Sequence, residues 1–211
     1  MKQFDTYTLR AYLDELAGKG ATPGGGSAAA LIGALGAALV SMVANLTAGR
    51  KKYADVEEDM QKLLVETAKQ QEKMLSLVSE DSVAFDGVMA AYAMPKKTAE
   101  EKEARQKAIW EGYRAACQVP LSVANHAIEI LKLAVVAAEK GNTNAVSDAA
   151  VAGFATYAAL NAALLNVRIN VKYLPDDEWT RATQEKVAQL VAAGKELQDR
   201  VQAITDTILD A

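Results

Sequence analysis

Residues 27–46, SAAALIGALGAALVSMVANL, carry no charged side chain and consist mainly of alanine, glycine and leucine. A membrane-spanning helix needs about 20 apolar residues, so the length alone would permit one. However, the many small residues, together with Ser27, Ser41 and Asn45, keep the apolarity low, and no aromatic belt flanks the stretch. We interpret it as a central helix buried on all sides by other helices, whose small side chains let neighbouring helices approach closely.

The rest of the chain is also typical of helices. A second Ala-rich helix is predicted over about residues 144–171, and two long helices over about 54–94 and 98–139, the latter with a bend at Pro120. Thr98-Ala99-Glu100-Glu101 is a capping-box sequence that starts the second long helix, and Gly141-Asn142 is the signal that ends it. A shorter helix over 5–17, with Leu9, Tyr12, Leu13 and Leu16 on its inner face, and a last one over about 176–208 complete the pattern. We therefore predict one all-α domain over residues 1–211, a bundle of about six helices with two long and two buried Ala-rich members.

Composition excludes several classes of protein. The net charge of −4 and the isoelectric point near 5.2 argue against a nucleic-acid-binding surface. The single cysteine, Cys117, forms no intramolecular disulfide and fits a reducing, cytoplasmic location, as does an amino terminus without the apolar segment of a signal peptide. The only histidine, His126, has no neighbours at metal-ligand spacing, so we expect no metal site.

A glycine-rich turn is the first candidate for function. Three successive glycines permit close backbone approach, and they lead into a helix amino end, where free N–H groups face a ligand and Ser27 can act as a cap. A tight turn between two helices is an equally good interpretation. The residues of this turn are Thr22, Pro23, Gly24, Gly25, Gly26 and Ser27.

Asp81 is the second candidate, because it occupies an inward position of a long helix, three residues after Val78 and four before Phe85. Burial raises the pKa of a carboxyl group and so suits it to proton transfer near neutral pH. Asp86 lies on the flank of the same face. The alternative is a buried aspartate paired with an Arg or Lys of another helix.

Two further groups of polar residues lie on or near the second Ala-rich helix. Asn142, Ser147 and Asp148 cluster at its head, where helix capping is the default interpretation. Asn166 and Asn170 are four residues apart and share one helical face, from which they either bridge helices or bind the edge of a heterocycle.

Seven motifs follow one another along the chain. They are Thr22-Pro23-Gly24-Gly25-Gly26-Ser27, Asp81 with Ala84-Phe85-Asp86, Pro95-Lys96 with Glu100-Glu101-Lys102 and Arg105, Val119-Pro120-Leu121, Gly141-Asn142, Ser147-Asp148, and Asn166-Val167-Arg168-Ile169-Asn170. In this order they resemble the cyclodeaminase/cyclohydrolase family, which contains the carboxy-terminal half of formiminotransferase-cyclodeaminase and the stand-alone methenyltetrahydrofolate cyclohydrolases. The resemblance covers nearly the whole chain, and the formiminotransferase half is absent.

The resemblance implies an all-α subunit that forms a homodimer or a larger homo-oligomer, with folate bound in a cleft near a subunit interface. It implies that Asp81 is catalytic and that the glycine-rich turn, Asn142, Ser147, Asp148 and Asn166 line the substrate site. The expected reaction is hydrolysis of methenyltetrahydrofolate, with formiminotetrahydrofolate cyclodeamination as the alternative. Neither reaction needs a metal or a redox cofactor. A non-catalytic helical module that binds folate is the rival from another class.

Overall fold

The computed structural model describes residues 3–211, apart from the side chains of residues 82–85. Within that part the chain contains six α-helices and no strand, so the predicted all-α bundle is confirmed. Short 3₁₀ segments precede α1, α3 and α5. The helices are α1 Leu9–Leu16, α2 Gly25–Thr47, α3 Glu57–Ala93, α4 Ala99–Lys140, α5 Val146–Val171 and α6 Glu178–Leu209.

Local sequence signals determine where the long helices begin and end. At the start of α4 the Thr98 side chain accepts a hydrogen bond from the Glu101 N–H, and the Glu101 carboxylate accepts one from the Thr98 N–H, each at 3.2 Å. This is the predicted capping box. Gly141 ends α4, while Pro120 lies within it, so the helix continues through the proline.

The two Ala-rich helices, α2 and α5, pack against each other and lie at the centre of the bundle. α2 also packs on α3 and α4, and α5 on α4 and α6. Gly36 shows how close the central pair is, because a Cβ at this position would overlap the Thr156 hydroxyl. The small residues therefore have the role predicted from sequence, which is to let two backbones approach.

The prediction that α2 is buried on all sides is wrong. Leu35 and Met42 are 53% and 45% exposed, and Val151 and Phe154 of α5 are about half exposed. Alanine and glycine occur on both buried and exposed faces of a helix, so the sequence of α2 does not show which face meets solvent.

α2, α4 and α5 are each long and apolar enough to cross a membrane, and in this structure 56%, 56% and 50% of their most apolar windows are buried among other helices.

The inner face predicted for the first helix is also wrong in part. Only Tyr12 is buried in α1, whereas Leu9 and Leu13 are 71% and 58% exposed. The helix is only eight residues long and buries one side chain rather than a stripe. In α3, Val78 is buried as predicted, and the Phe85 side chain lies outside the described residues.

Candidate active site

A cleft of about 360 Å³ lies at the amino end of α2, where α3, α4 and α5 also meet. The glycine-rich turn forms one wall, Asp81 of α3 lies beside it, and α4 and α5 supply the opposite side. The lining residues are Ala21, Thr22, Gly24, Gly25, Gly26, Asp81, Tyr113, Ala116, Pro120, Asn166, Ile169, Asn170 and Tyr173.

The Asp81 carboxylate is held by the first turn of α2. Its Oδ2 accepts a hydrogen bond from the Ser27 N–H at 2.9 Å. Gly26 makes this contact possible, since a Cβ there would overlap all three atoms of the carboxylate group. The close backbone approach expected of the glycine-rich turn is thus made toward an aspartate of the protein itself.

Burial raises the pKa of Asp81, and the hydrogen bond from Ser27 offsets part of that rise. The side chain is half-buried, so it meets both protein and the open space of the cleft. It forms no ion pair with any Lys or Arg that the structure describes, which excludes the sequence alternative of a buried salt bridge within that part of the chain. A carboxylate with a raised pKa and access to a cleft is suited to taking up and returning protons.

The buried Ser27 has a second function beneath the cleft, because its hydroxyl and that of Tyr12 are 3.0 Å apart. Burial raises the pKa of Tyr12, and the charge of Asp81 acts in the same direction. Tyr12 therefore stays neutral and supports the turn from below. Pro23 is buried in the turn, and the Thr22–Pro23 peptide bond is cis.

Asn166 and Asn170 lie on the side of the cleft formed by α5. The Asn170 amide donates to the Ala116 carbonyl of α4 at 3.1 Å, and the Asn166 amide donates to Ala162 of its own helix at 2.9 Å. Their side-chain oxygens have no hydrogen-bond partner among the residues that the structure describes. Asn170 therefore bridges helices, and both residues keep an acceptor for a ligand.

Two tyrosines that the sequence analysis missed complete the cleft. The rings of Tyr113 and Tyr173 are stacked, with centroids 4.8 Å apart and planes 14° apart. The Tyr113 and Tyr92 hydroxyls are 3.1 Å apart. Tyr173 follows Asn166 by seven residues and Asn170 by three, so extending the register of the asparagine pair by one turn would have found it.

Six of the residues predicted for the site are not among those that line the cleft of this chain, and two of these, Pro23 and Ser27, are buried in the turn that forms its wall. Asp86 is exposed on α3 and does not line it. Asn142, Ser147 and Asp148 lie at the opposite end of α5, where 18 residues of helix between Asp148 and Asn166 correspond to about 27 Å.

Asn142 has a structural function at that distant end. Its amide donates to the Leu46 carbonyl at 3.1 Å, and its backbone N–H donates to the Thr47 hydroxyl at 2.8 Å. These bonds tie the end of α2 to the α4–α5 turn. The physical reason for the separation is that α5 places its first turn and its last turns at opposite ends of the bundle.

The fold and the cleft together define a class of protein, an all-α bundle that presents one proton-accepting carboxylate at the glycine-rich amino end of a central helix. The formiminotransferase-cyclodeaminase family profile matches residues 8–189. The chain belongs to this family, as the sequence motifs predicted.

Three similar proteins fit this assignment. Over 92% of its length the chain is 44% identical to methenyltetrahydrofolate cyclohydrolase of Methylorubrum extorquens, of which the match covers 93%. It is 36% identical over 89% of its length to formimidoyltransferase-cyclodeaminase of Rattus norvegicus, but spans only 35% of that protein. The crystal structure of formiminotetrahydrofolate cyclodeaminase from Thermotoga maritima superposes with a TM-score of 0.87 at 28% identity, over 97% of this chain and 98% of that one.

Proposed function

We propose that this chain hydrolyses 5,10-methenyltetrahydrofolate to 10-formyltetrahydrofolate. The observation that carries the proposal is the half-buried Asp81 carboxylate, fixed by the Ser27 amide at the edge of a cleft. Methenyltetrahydrofolate contains a cationic amidinium, and a carboxylate beside a cation favours its binding. The similarity to a methenyltetrahydrofolate cyclohydrolase over nearly its whole length supports this reaction as the first choice.

In the proposed mechanism Asp81 first takes up a proton and then donates the same proton to the substrate. Its ionised form takes a proton from water as the water oxygen adds to the amidinium carbon, which gives a neutral hydroxylated ring. The protonated carboxyl group then returns the proton to N5 while the bond between that carbon and N5 breaks. The hydroxyl group releases its own proton to water as it becomes the carbonyl of the formyl group on N10. The raised pKa of Asp81 favours the second step, because it makes the carboxyl group easier to reprotonate.

The other walls of the cleft would orient the substrate. The Tyr113 and Tyr173 rings offer aromatic surface to a flat pterin, and the free oxygens of Asn166 and Asn170 can accept from its N–H groups. Both reactions transfer protons and make or break carbon–nitrogen and carbon–oxygen bonds without a change in oxidation state, so we propose that no metal or redox cofactor takes part.

The second candidate is formiminotetrahydrofolate cyclodeamination, in which N10 attacks the formimino carbon and ammonia leaves. The likeness to the Thermotoga cyclodeaminase favours it. Asp81 would again carry the proton, here from N10 to the departing nitrogen. The match spans only 35% of the Rattus norvegicus formimidoyltransferase-cyclodeaminase, so the transferase activity in the name of that longer protein is not proposed for this chain.

A paired assay separates the candidates. The loss of methenyltetrahydrofolate absorbance, compared with its spontaneous hydrolysis, measures the first reaction, and ammonia release from formiminotetrahydrofolate measures the second. We expect the first to be faster. Folate binding without turnover of either substrate would instead favour the non-catalytic module.

The variant Asp81→Asn, measured in the same assay, tests whether Asp81 is the residue that transfers the proton. The amide oxygen can still accept from Ser27, so the fold should persist, whereas turnover should fall by about 10²- to 10⁴-fold with the loss of the proton carrier. Asp86→Asn is the matched control, because it removes an exposed acid from the same helix. Equal activity in the two variants would remove Asp81 from the mechanism.

We also propose that the chain is a cytoplasmic homodimer or larger homo-oligomer that acts without nucleic acid or membrane. The half-exposed Leu35, Met42, Val151 and Phe154 lie on the central helix pair, and contact between copies would cover them. Light scattering should show an oligomer for the wild type and a smaller species for Phe154→Glu. A wild-type monomer that partitions into lipid vesicles would contradict both statements.

A further inference from the structure

The amino-terminal segment, residues 4–16, is bonded to both helices that build the candidate active site. On one side the Ser79 hydroxyl of α3 donates to the Asp5 carboxylate at 2.5 Å, and the Asp5 N–H donates to the Ser79 hydroxyl oxygen at 3.4 Å. On the other side the Tyr12 and Ser27 hydroxyls are 3.0 Å apart, which ties α1 to the first turn of α2. The segment therefore joins the helix that carries the candidate proton carrier to the helix whose amide holds it.

Aromatic packing keeps this segment in place. Phe4 and Tyr12 are both buried, and their rings meet edge to face with centroids 6.3 Å apart. Tyr7 packs on Phe4 in the same manner at 5.3 Å. Such pairs favour a definite relative orientation of the rings in addition to burying apolar area. The packed rings therefore fix the position of the Tyr12 hydroxyl beneath the glycine-rich turn.

Ser27 links Tyr12 to Asp81. Its hydroxyl has Tyr12 as its only hydrogen-bond partner among the residues that the structure describes, while its N–H donates to Asp81 Oδ2 at 2.9 Å. Because Ser27 is fully buried, loss of the Tyr12 hydroxyl would leave the serine hydroxyl without a partner, which is unfavourable. The first turn of α2 would then shift, and the N–H that holds the carboxylate would shift with it.

We propose that Tyr12 is a positioning residue for the reaction, which acts through Ser27 to hold the Asp81 carboxylate at the edge of the cleft. This inference rests on the proposed function for the role of Asp81 as proton carrier. Tyr12 does not line the cleft, so it does not touch the substrate. Its effect should therefore be on the chemical step rather than on substrate binding.

The variant Tyr12→Phe tests the proposal, since it removes one hydroxyl and keeps the buried ring. We expect kcat for methenyltetrahydrofolate to fall about 3- to 10-fold, which is the effect of one neutral hydrogen bond, with KM nearly unchanged. Tyr7→Phe is the matched control. It removes a hydroxyl from the same segment, but one that forms no hydrogen bond with the residues that the structure describes, so it should keep wild-type kinetics.

The route through Ser27 is tested by Ser27→Ala, which removes the other hydroxyl of the pair and keeps the N–H that binds Asp81. Because the two single variants break the same bond, the double variant Tyr12→Phe/Ser27→Ala should be no slower than the slower of them. Effects that multiply in the double variant would mean that Tyr12 acts by another route, and the proposal would be wrong.

A second readout does not depend on turnover. The Asp81 carboxyl carbon can be titrated by NMR in protein with isotope-labelled aspartate, its signal being the one lost in Asp81→Asn. The bond from Ser27 lowers the pKa of Asp81, so a carboxylate that moves away from Ser27 should titrate at higher pH in Tyr12→Phe than in the wild type. The acid limb of kcat/KM should move in the same direction.

The other ionisable side chains around this carboxylate are Tyr12 beneath the turn and Tyr113 and Tyr173 in the lining of the cleft. Tyrosines do not ionise in the acid range, so they do not account for such a shift.

If the wild type turns over neither folate, the proposed function fails, and the titration still decides whether Tyr12 holds the carboxylate. The inference is overturned if Tyr12→Phe keeps the wild-type kcat and titration, or if Tyr7→Phe changes them equally. A lower Tm in Tyr12→Phe with both quantities unchanged would show a structural role alone and would also overturn it.

Discussion

Replacing Gly26 with alanine is the sharpest test of how the site is built. A Cβ at this position would overlap the Oδ1, Cγ and Oδ2 atoms of Asp81, so the carboxylate has to move away from the Ser27 N–H, to which it is now 2.9 Å distant. Hydrogen bonds to charged groups contribute about 1.5–3 kcal/mol. If that loss is felt fully in the transition state, turnover falls by about 10- to 100-fold.

The stability change in Gly26→Ala should be smaller than the change in activity. Alanine is favoured over glycine in a helix by up to about 1 kcal/mol, which offsets part of the lost hydrogen bond. The net loss is then about 2 kcal/mol at most, and Tm should fall by less than about 8 °C for a chain of this size. Steady-state kinetics and thermal unfolding of the same preparation measure both quantities.

Gly87→Ala provides the control, since it makes the same chemical change within α3. Apart from its chain neighbours and the backbone of α3, no atom of the described residues lies within 4 Å of the added Cβ. We expect it to raise the free energy of unfolding by about 0.5–1 kcal/mol with unchanged turnover. Wild-type turnover in Gly26→Ala would refute the reasoning, because the position of the Asp81 carboxylate would then not matter.

Three further predictions concern pH, packing and thiol reactivity. Because the protonated carboxyl group cannot take a proton from water, kcat/KM should fall as pH decreases through the pKa of Asp81, in a range above the ordinary value of 3.8, and a profile without this limb would contradict the assignment. Gly36→Ala should destabilise the fold by about 1–3 kcal/mol in urea titrations, because its Cβ would overlap Thr156. Cys117 is fully buried, which raises its pKa to about 11, so iodoacetamide at pH 8 should modify it only after unfolding.

The raised pKa of Asp81 also makes the stability of the fold depend on pH. The direction is opposite to that of an acid whose pKa is lowered by a salt bridge. Since burial raises the folded-state pKa of Asp81, keeping it ionised costs stability at pH values above that pKa. The cost is recovered as pH falls through the folded pKa toward the unfolded value. Asp81→Asn should therefore be at least as stable as the wild type at neutral pH.

Sequence reasoning succeeded where short-range signals decide the structure. The Thr98 capping box and the Gly141 stop need only neighbours within a few residues, and both helix ends lie where they were predicted.

Sequence reasoning failed where the burial of a residue, or its position at the cleft, depends on which helices pack against each other. Periodicity in α1 predicted an inner face with Leu9 and Leu13, but only contact with the rest of the bundle determines that Tyr12 is the residue buried. Likewise, the family motif containing Asp148 gave no indication that α5 separates it from Asn166. Tyr113 was missed because it lies inside the long helix α4, between Glu111 and Arg114, so nothing local marks it as part of a cleft.

The bond between Ser27 and Asp81 also affects which ions the cleft admits. The amino end of a helix usually attracts anions, since its unpaired amides and dipole favour negative charge. In this chain one of those amides is already occupied by the protein's own carboxylate, so an incoming phosphate or formate would meet repulsion. A neutral side chain at position 81 would remove that repulsion, so we expect inorganic anions to inhibit Asp81→Asn more strongly than the wild type.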